Sequence, residues 1–242
     1  MSQLAPLRLL AAAAALCAAA LACRAAASEG TPGKGTAAAQ AASSTAAGPG
    51  ADSTALRAAA DSGRIQGTPG AKVWLIEISD FQCPYCKMWH DESYDALRRE
   101  YVATGKARTA YVNFPLDMHA QAMAASEAAM CASAQHKFWE YHDALFRTQE
   151  QWGRPGDMSP AFDSLATSVG ADLPRFRACT RSHVMRALVE ADRDRMERAG
   201  VRSTPTFYVG NRQIAGAQPV DVFRQAIDAA VANPPVIPSG GR

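Results

Sequence analysis

The stretch Val73 to Trp89, VWLIEISDFQCPYCKMW, dictates the fold more strictly than any other part of the chain. It opens on Val73-Trp74-Leu75-Ile76, an apolar run with the β-branched content of a buried strand. It closes on Cys83-Pro84-Tyr85-Cys86, followed by residues that can continue as a helix. Pro84 suits the first helical position, where its missing N–H is not needed and its φ is already helical. Cys83 then stands at the helix N-terminus, facing free backbone N–H groups and the positive end of the dipole. Thiolate is favoured there over thiol, and thiolate is the nucleophile of disulfide exchange. Cys86, one turn on, lies within reach of Cys83 and is the more sheltered of the two. A lone C-x-x-C also fits half a zinc site or a structural disulfide. Zinc needs two further ligands, and no second C-x-x-C supplies them. The strand before, the helix after and the Pro-Tyr between favour a redox dithiol.

The chain has 242 residues and a net charge of +2, so neither nucleic acid nor an acidic surface is indicated as a partner. Its first sixty or so residues are nearly all Ala, Gly, Ser and Thr, which leaves roughly 175 for one folded domain. Leu4 to Ala22 is an apolar run after a start bearing Arg8, and residues 1–22 read as a secretory signal. Two readings of its end stay open. Ala19-Ala20-Leu21-Ala22-Cys23 resembles a bacterial lipoprotein signal, in which Cys23 becomes the lipidated first residue, although Leu21 sits one place later than usual. The other reading is ordinary cleavage after Ala25-Ala26-Ala27. Either places the folded part outside the cytoplasm, in the periplasm or cell envelope, where disulfides persist. Residues 23–62 carry no aromatic residue and no apolar period, and read as a flexible tether with a transient helix around Thr54 to Ala60. The folded domain is expected over 63–232, and 233–242 as a loose tail.

After the dithiol helix, Cys83 to about Tyr101, the alternation of Lys106 to Phe114 predicts a second strand that Pro115 stops. From His119 to Ala199 nearly everything is helical in pattern. Phe138, Tyr141, His142, Leu145 and Phe146 fall at helical spacing, Ser159-Pro160 starts a helix, and Gly170 and Gly200 stop helices. Strand signals return at Thr206 to Val209 and Arg212 to Ile214 around a Gly210-Asn211 turn, and Pro219 to Val231 closes as a helix. With a helical block of about 116–185 set aside, the order is β-α-β-α-β-β-α, the thioredoxin plan. The fold class is α/β, a thioredoxin fold with an inserted all-helical subdomain.

Three ordered motifs carry a resemblance: Asp80-Phe81-Gln82-Cys83-Pro84-Tyr85-Cys86, the run Lys137 to Phe146 (KFWEYHDALF), and Thr204-Pro205-Thr206-Phe207. Through them, over roughly residues 68 to 231, the chain resembles the DsbA-like thioredoxin-domain family. The dimeric disulfide isomerases among its relatives carry a folded dimerisation module in front, where this chain has the expected tether. The resemblance implies that Pro205 is cis and faces the dithiol, and that Thr204 offers backbone hydrogen bonds to a substrate peptide. Ser203 stands where the family usually has glycine. Glu77 lies inside the apolar strand, where burial raises the pKa of a carboxyl and suits it to exchange protons with Cys86. Related proteins carry an acid at the matching place; the alternative is that strand alternation turns Glu77 to solvent. With Cys17 removed and Cys23 lipidated or removed, four of the six cysteines remain; if Cys83 pairs with Cys86, Cys131 and Cys179 are left to form a second bridge, as in some family members, or to stay as buried thiols. His90 and His119 read as helix surface or core edge, and Trp139 and Phe146 as packing.

The expected activity is that of an extracytoplasmic protein thiol–disulfide oxidoreductase, working on exported proteins through Cys83 and Cys86, as oxidant. It needs no cofactor beyond its redox-active disulfide. Resemblance implies a membrane partner linked to quinone, of DsbB type or like vitamin-K-epoxide reductase. Membrane contact is expected only through a lipid on Cys23. A reductase or isomerase of the same fold is the alternative, since Pro-Tyr does not settle direction. A tethered carrier of soft metal is a third reading, but the methionines sit at helical spacing and read as core.

Overall fold

The computed structural model describes residues 49–234. The expected signal segment, Cys23 and most of the expected tail lie outside the described residues. The architecture is a five-stranded mixed sheet in the order β1-β3-β2-β4-β5. Its strands are β1 (Ile65–Gln66), β2 (Val73–Ser79), β3 (Ala107–Asn113), β4 (Thr206–Val209) and β5 (Arg212–Ala215). β2 and β3 run parallel, with Glu77 opposite Tyr111, and β4 returns antiparallel on the other side of β2, with Phe207 opposite Glu77. The short β1 is not signalled by any run of apolar residues; it pairs Ile65 with Ala110 at the sheet edge.

Strand alternation splits β2 between two cores. Val73 and Leu75 pack with Trp89, Tyr94 and Leu97 of the dithiol helix and with Phe223 and Ile227 of the helix Val220–Ala232. Ile76 and Ile78 turn the other way, toward Phe114, Val201 and Met196. The dithiol helix runs over residues 84–102 and changes character along its length. It starts as an α-helix at Pro84–Trp89, with Pro84 on its first turn, and passes through π-helical segments at His90–Tyr94 and Arg98–Val102.

Between β3 and β4 lie the helices Ala122–Ser133, Phe138–Arg147, Gln149–Trp152, Ser159–Ser168, Leu173–Arg181 and Arg186–Arg198. Asp172 caps the fifth helical segment of this block through the Arg175 N–H at 2.9 Å, and Gly170 and Gly200 end their helices at positive φ. Phe138, Tyr141, Phe146, Trp152, Phe162 and Phe176 form the core of the inserted block. Cys131 and Cys179 are bonded to each other inside it.

The expected tether needs correction at its end. Residues 49–62 are not loose chain: Pro49–Gly63 is a helix, Ala60 is fully buried, and Leu56 packs on the core of the inserted block. Ser133 donates to the Ala60 carbonyl oxygen, and buried Arg64 reaches Asp192 on the helix Arg186–Arg198. Alanine-rich sequence carries little amphipathic signal, so the docking of its small side chains escaped a reading based on period and aromatic content. No helix among the described residues is long and apolar enough to cross a membrane.

Candidate active site

The turn before the dithiol is held from several directions. Buried Asp80 accepts from the Gln82 N–H at 2.7 Å, the Leu116 N–H at 2.9 Å and His119 Nδ1 at 2.7 Å. Cys83 N–H closes the turn onto the Asp80 carbonyl at 3.0 Å. The inserted block supplies the other restraints. Gln149 Nε2 donates to the Phe81 and Cys83 carbonyls at 2.7 and 3.1 Å, and Gln82 is clasped between Gln121 N–H and the Gly153 carbonyl. The helical insertion thus fixes where the first cysteine sits.

Cys83 and Cys86 are both free thiols and both buried, while Tyr85 between them is 62% exposed. The Thr204–Pro205 bond is cis, and Cys83 Sγ lies 3.6 Å from the Thr204 carbonyl oxygen. The two sulfurs have opposite environments. A hydrogen bond from the Cys86 thiol brings the Cys83 pKa down to about 6, against the upward push of burial. The Thr204 side chain and the N–H groups of Cys86 and Tyr85 pull the same way. Burial and the neighbouring Cys83 sulfur push Cys86 well above its ordinary value.

Beneath the dithiol helix lies a buried polar cluster. Glu77 is 1% exposed, so the alternative that alternation turns it to solvent is overturned, and burial raises its pKa to about 7. His142 Nε2 is 3.9 Å from Glu77 Oε2. Asp143 Oδ1 accepts from His142 Nδ1 at 2.9 Å and from His90 Nε2 at 3.3 Å. One ring nitrogen each from His90 and His142 and one carboxylate oxygen of Asp143 lie within 4.8 Å of one another. They are already engaged with each other, so the cluster is a hydrogen-bonded network.

Sequence reasoning placed Cys83, Pro84, Tyr85, Cys86, Glu77, Thr204 and Pro205, and the structure brings these to one end of β2 and β4. Cys131 and Cys179 stand apart, within the inserted block, as a disulfide; the alternative of two buried thiols is overturned. Missed were Asp80 with His119, Gln149, and the pairing of His142 with Glu77. His142 looked like one more member of an apolar helical face. A histidine on such a face, in a chain with an acid in a buried strand, was the available signal.

A family model described as Thioredoxin matches residues 59–229. The chain belongs to the DsbA-like thioredoxin family. The disulfide bond formation protein D of Bacillus subtilis is 23% identical over 170 residues, covering 68% of this chain and 75% of that protein. A protein of Salinispora tropica named as Na(+)/H(+) antiporter NhaA 3 is 32% identical over 183 residues, 75% of this chain. The match spans only 27% of that relative's length. Among solved structures, oxidised BdbD from Bacillus subtilis superposes with a TM-score of 0.65 at 20% identity, over 71% of this chain and 95% of that one. Wolbachia pipientis α-DsbA1 gives 0.63 at 20% identity, over 70% and 90%. The DsbA-like fold with its helical insertion is therefore the fold of this chain. The family works through a redox-active disulfide with no external cofactor.

Proposed function

We propose that the protein is an extracytoplasmic oxidant that passes a disulfide from Cys83 and Cys86 to cysteines of exported proteins. The observation that carries this reading is the opposite pull on the two sulfurs. A stabilised Cys83 thiolate stabilises the reduced form, and a protein whose reduced form is stabilised is the stronger oxidant. In the proposed cycle a substrate thiolate attacks Cys83 Sγ of the disulfide, and the bond's electron pair leaves on Cys86. A second substrate thiolate then attacks the substrate sulfur of the mixed disulfide, and Cys83 leaves as its stabilised thiolate. Tyr85, exposed, and the cis Thr204–Pro205 peptide flank the attacked sulfur and would bind substrate backbone. Glu77 would exchange the proton of Cys86.

Reoxidation would fall to a quinone-linked membrane protein, and the N-terminal segment would deliver the domain outside the cytoplasm, lipidated at Cys23 or cleaved beyond it. The test is the reduction potential against glutathione, with single cysteine variants. Cys83→Ser should abolish exchange, and Cys86→Ser should accumulate mixed disulfides. A potential near thioredoxin's, about −270 mV, would remove the oxidant assignment and leave a reductase. Parent-like exchange in both variants would remove the dithiol assignment itself.

A further inference from the structure

Two buried polar atoms face each other below the dithiol with no hydrogen-bond partner elsewhere. They are Glu77 Oε2 and His142 Nε2, 3.9 Å apart on side chains that are 1% and 0% exposed. A protonated carboxyl can donate to a bare ring nitrogen, and closing the gap to a hydrogen bond of about 2.8 Å needs only a small side-chain shift. The other ring nitrogen fixes which tautomer is present. Against the upward push of burial, hydrogen bonds from His142 and His90 hold Asp143 well below the usual carboxylate range. An ionised carboxylate only accepts, so the ring proton lies on Nδ1, toward Asp143, and Nε2 is bare toward Glu77. Burial keeps the ring neutral, its pKa drawn down to about 4. Asp143 is 26% exposed and opens the cluster to water.

The link upward is Ser79. Its buried hydroxyl has no settled partner, yet it favours the ionised forms of Glu77, Cys86 and Tyr111, which therefore surround it. The groups facing the Glu77–His142 pair are Tyr111 from β3, His90 and Tyr94 from the dithiol helix, and Asp143 and Arg147 from the helix Phe138–Arg147; Cys86 bears on Tyr111 and Ser79. Arg98 bears on Tyr94.

We propose that His142 and Asp143 relay the proton of Cys86 between Glu77 and solvent, and that His142 exchanges tautomers each time the dithiol opens or closes. The proposal rests on the dithiol role above, and not on its direction. When Cys86 closes onto the mixed disulfide at Cys83, the departing thiolate takes the old bond's electron pair. The Cys86 proton passes by way of the Ser79 hydroxyl to one oxygen of Glu77, the proton on the other oxygen passes to His142 Nε2, and the Nδ1 proton leaves through Asp143 to water, the Asp143 carboxylate then turning off the bare Nδ1 and keeping its bond from His90 Nε2. One S–H is lost, one proton reaches solvent, and the ring finishes with its hydrogen on Nε2. When a thiolate reopens the disulfide, Cys86 leaves with the bond's electrons and every proton steps back. No ring flip is needed at any point. His142 could scarcely flip, being boxed in by Phe81, Phe138, Trp139 and Phe146. His142 and Asp143 act through Glu77 and are positioning residues.

The test is ¹⁵N-histidine labelling of the whole protein and two-bond ¹H–¹⁵N correlation near neutral pH, in the reduced and oxidised states. His142 is expected as the Nδ1–H tautomer when reduced and the Nε2–H tautomer when oxidised, with His183 unchanged as a reference. The same tautomer in both states overturns the relay. In Asp143→Asn, opening of the disulfide by glutathione should slow by roughly a hundredfold, the lower end of a general acid–base contribution, and its solvent deuterium isotope effect should change. A parent-like rate and isotope effect in that variant also overturns it. Should the variant fold poorly, the parent's tautomer measurement decides alone. A wrong oxidant assignment would appear in the potential and leave both of these results standing.

Discussion

The chemistry at single residues comes from environment rather than from side-chain type. Cys83 and Cys86 are the same residue three positions apart, yet one sulfur is drawn toward the anion and the other toward the thiol. Glu77 pays for its position (an acid buried in the core) by holding its proton to about pH 7. A carboxyl whose folded pKa lies above its unfolded value contributes stability that is complete below the unfolded value and lost as pH rises through the folded one. Glu77→Gln should therefore gain stability over the parent as pH rises from about 4.5 to 7, by up to about 3 kcal/mol. Urea unfolding of both proteins at a series of pH values measures this, and parallel curves would refute the assigned burial cost. Motif and spacing made the two cysteines, Pro205 and the acid readable in the sequence. His142 was not, because its partner lies sixty-five residues away on another element and no local pattern joins them.

Elements with a strong period or a turn residue at each end were legible. β2, β3, the hairpin of β4 and β5 and the closing helix fall where alternation, Pro115, Gly200 and Gly210-Asn211 put them. The helix Pro49–Gly63 was not, since alanine docks by closeness rather than by bulk. That closeness can be probed at its last residue. A Cβ on Gly63 would come within 2.6 Å of both the carbonyl oxygen and the hydroxyl of Ser133. Gly63→Ala should cost about 1–3 kcal/mol through overpacking, despite alanine's better helix propensity. A denaturation midpoint equal to or above the parent's would mean that the helix does not dock on Ser133 as described. The π-helical segments at His90–Tyr94 and Arg98–Val102 also had no sequence mark. His90, Tyr94 and Tyr101, which lie within them, meet Asp143, Trp139 and Asp228 on other elements.

At the scale of the molecule, the order of strands was recoverable because one helical block could be lifted out of a thioredoxin plan. What that block does was not: it supplies Gln149, Gln121, His142 and Asp143 to a site whose cysteines belong to the parent fold. Redox state should be felt in global stability as well. A thiol with a depressed folded pKa lends stability that is complete above its unfolded pKa and lost as pH falls through the folded value. The reduced protein should thus gain stability relative to the oxidised one as pH rises from about 6 toward 9. Calorimetry of the two forms across that range is the check, and a difference in melting temperature that stays constant with pH would contradict it. Cys131 and Cys179 carry a last implication. Their cystine closes a loop of 48 residues, worth about 4 kcal/mol in the chain-entropy description. A newly made copy therefore has a bond of its own to close: Cys131 and Cys179 must give up two electrons to some oxidant before the block that carries Gln149 and His142 has its full stability.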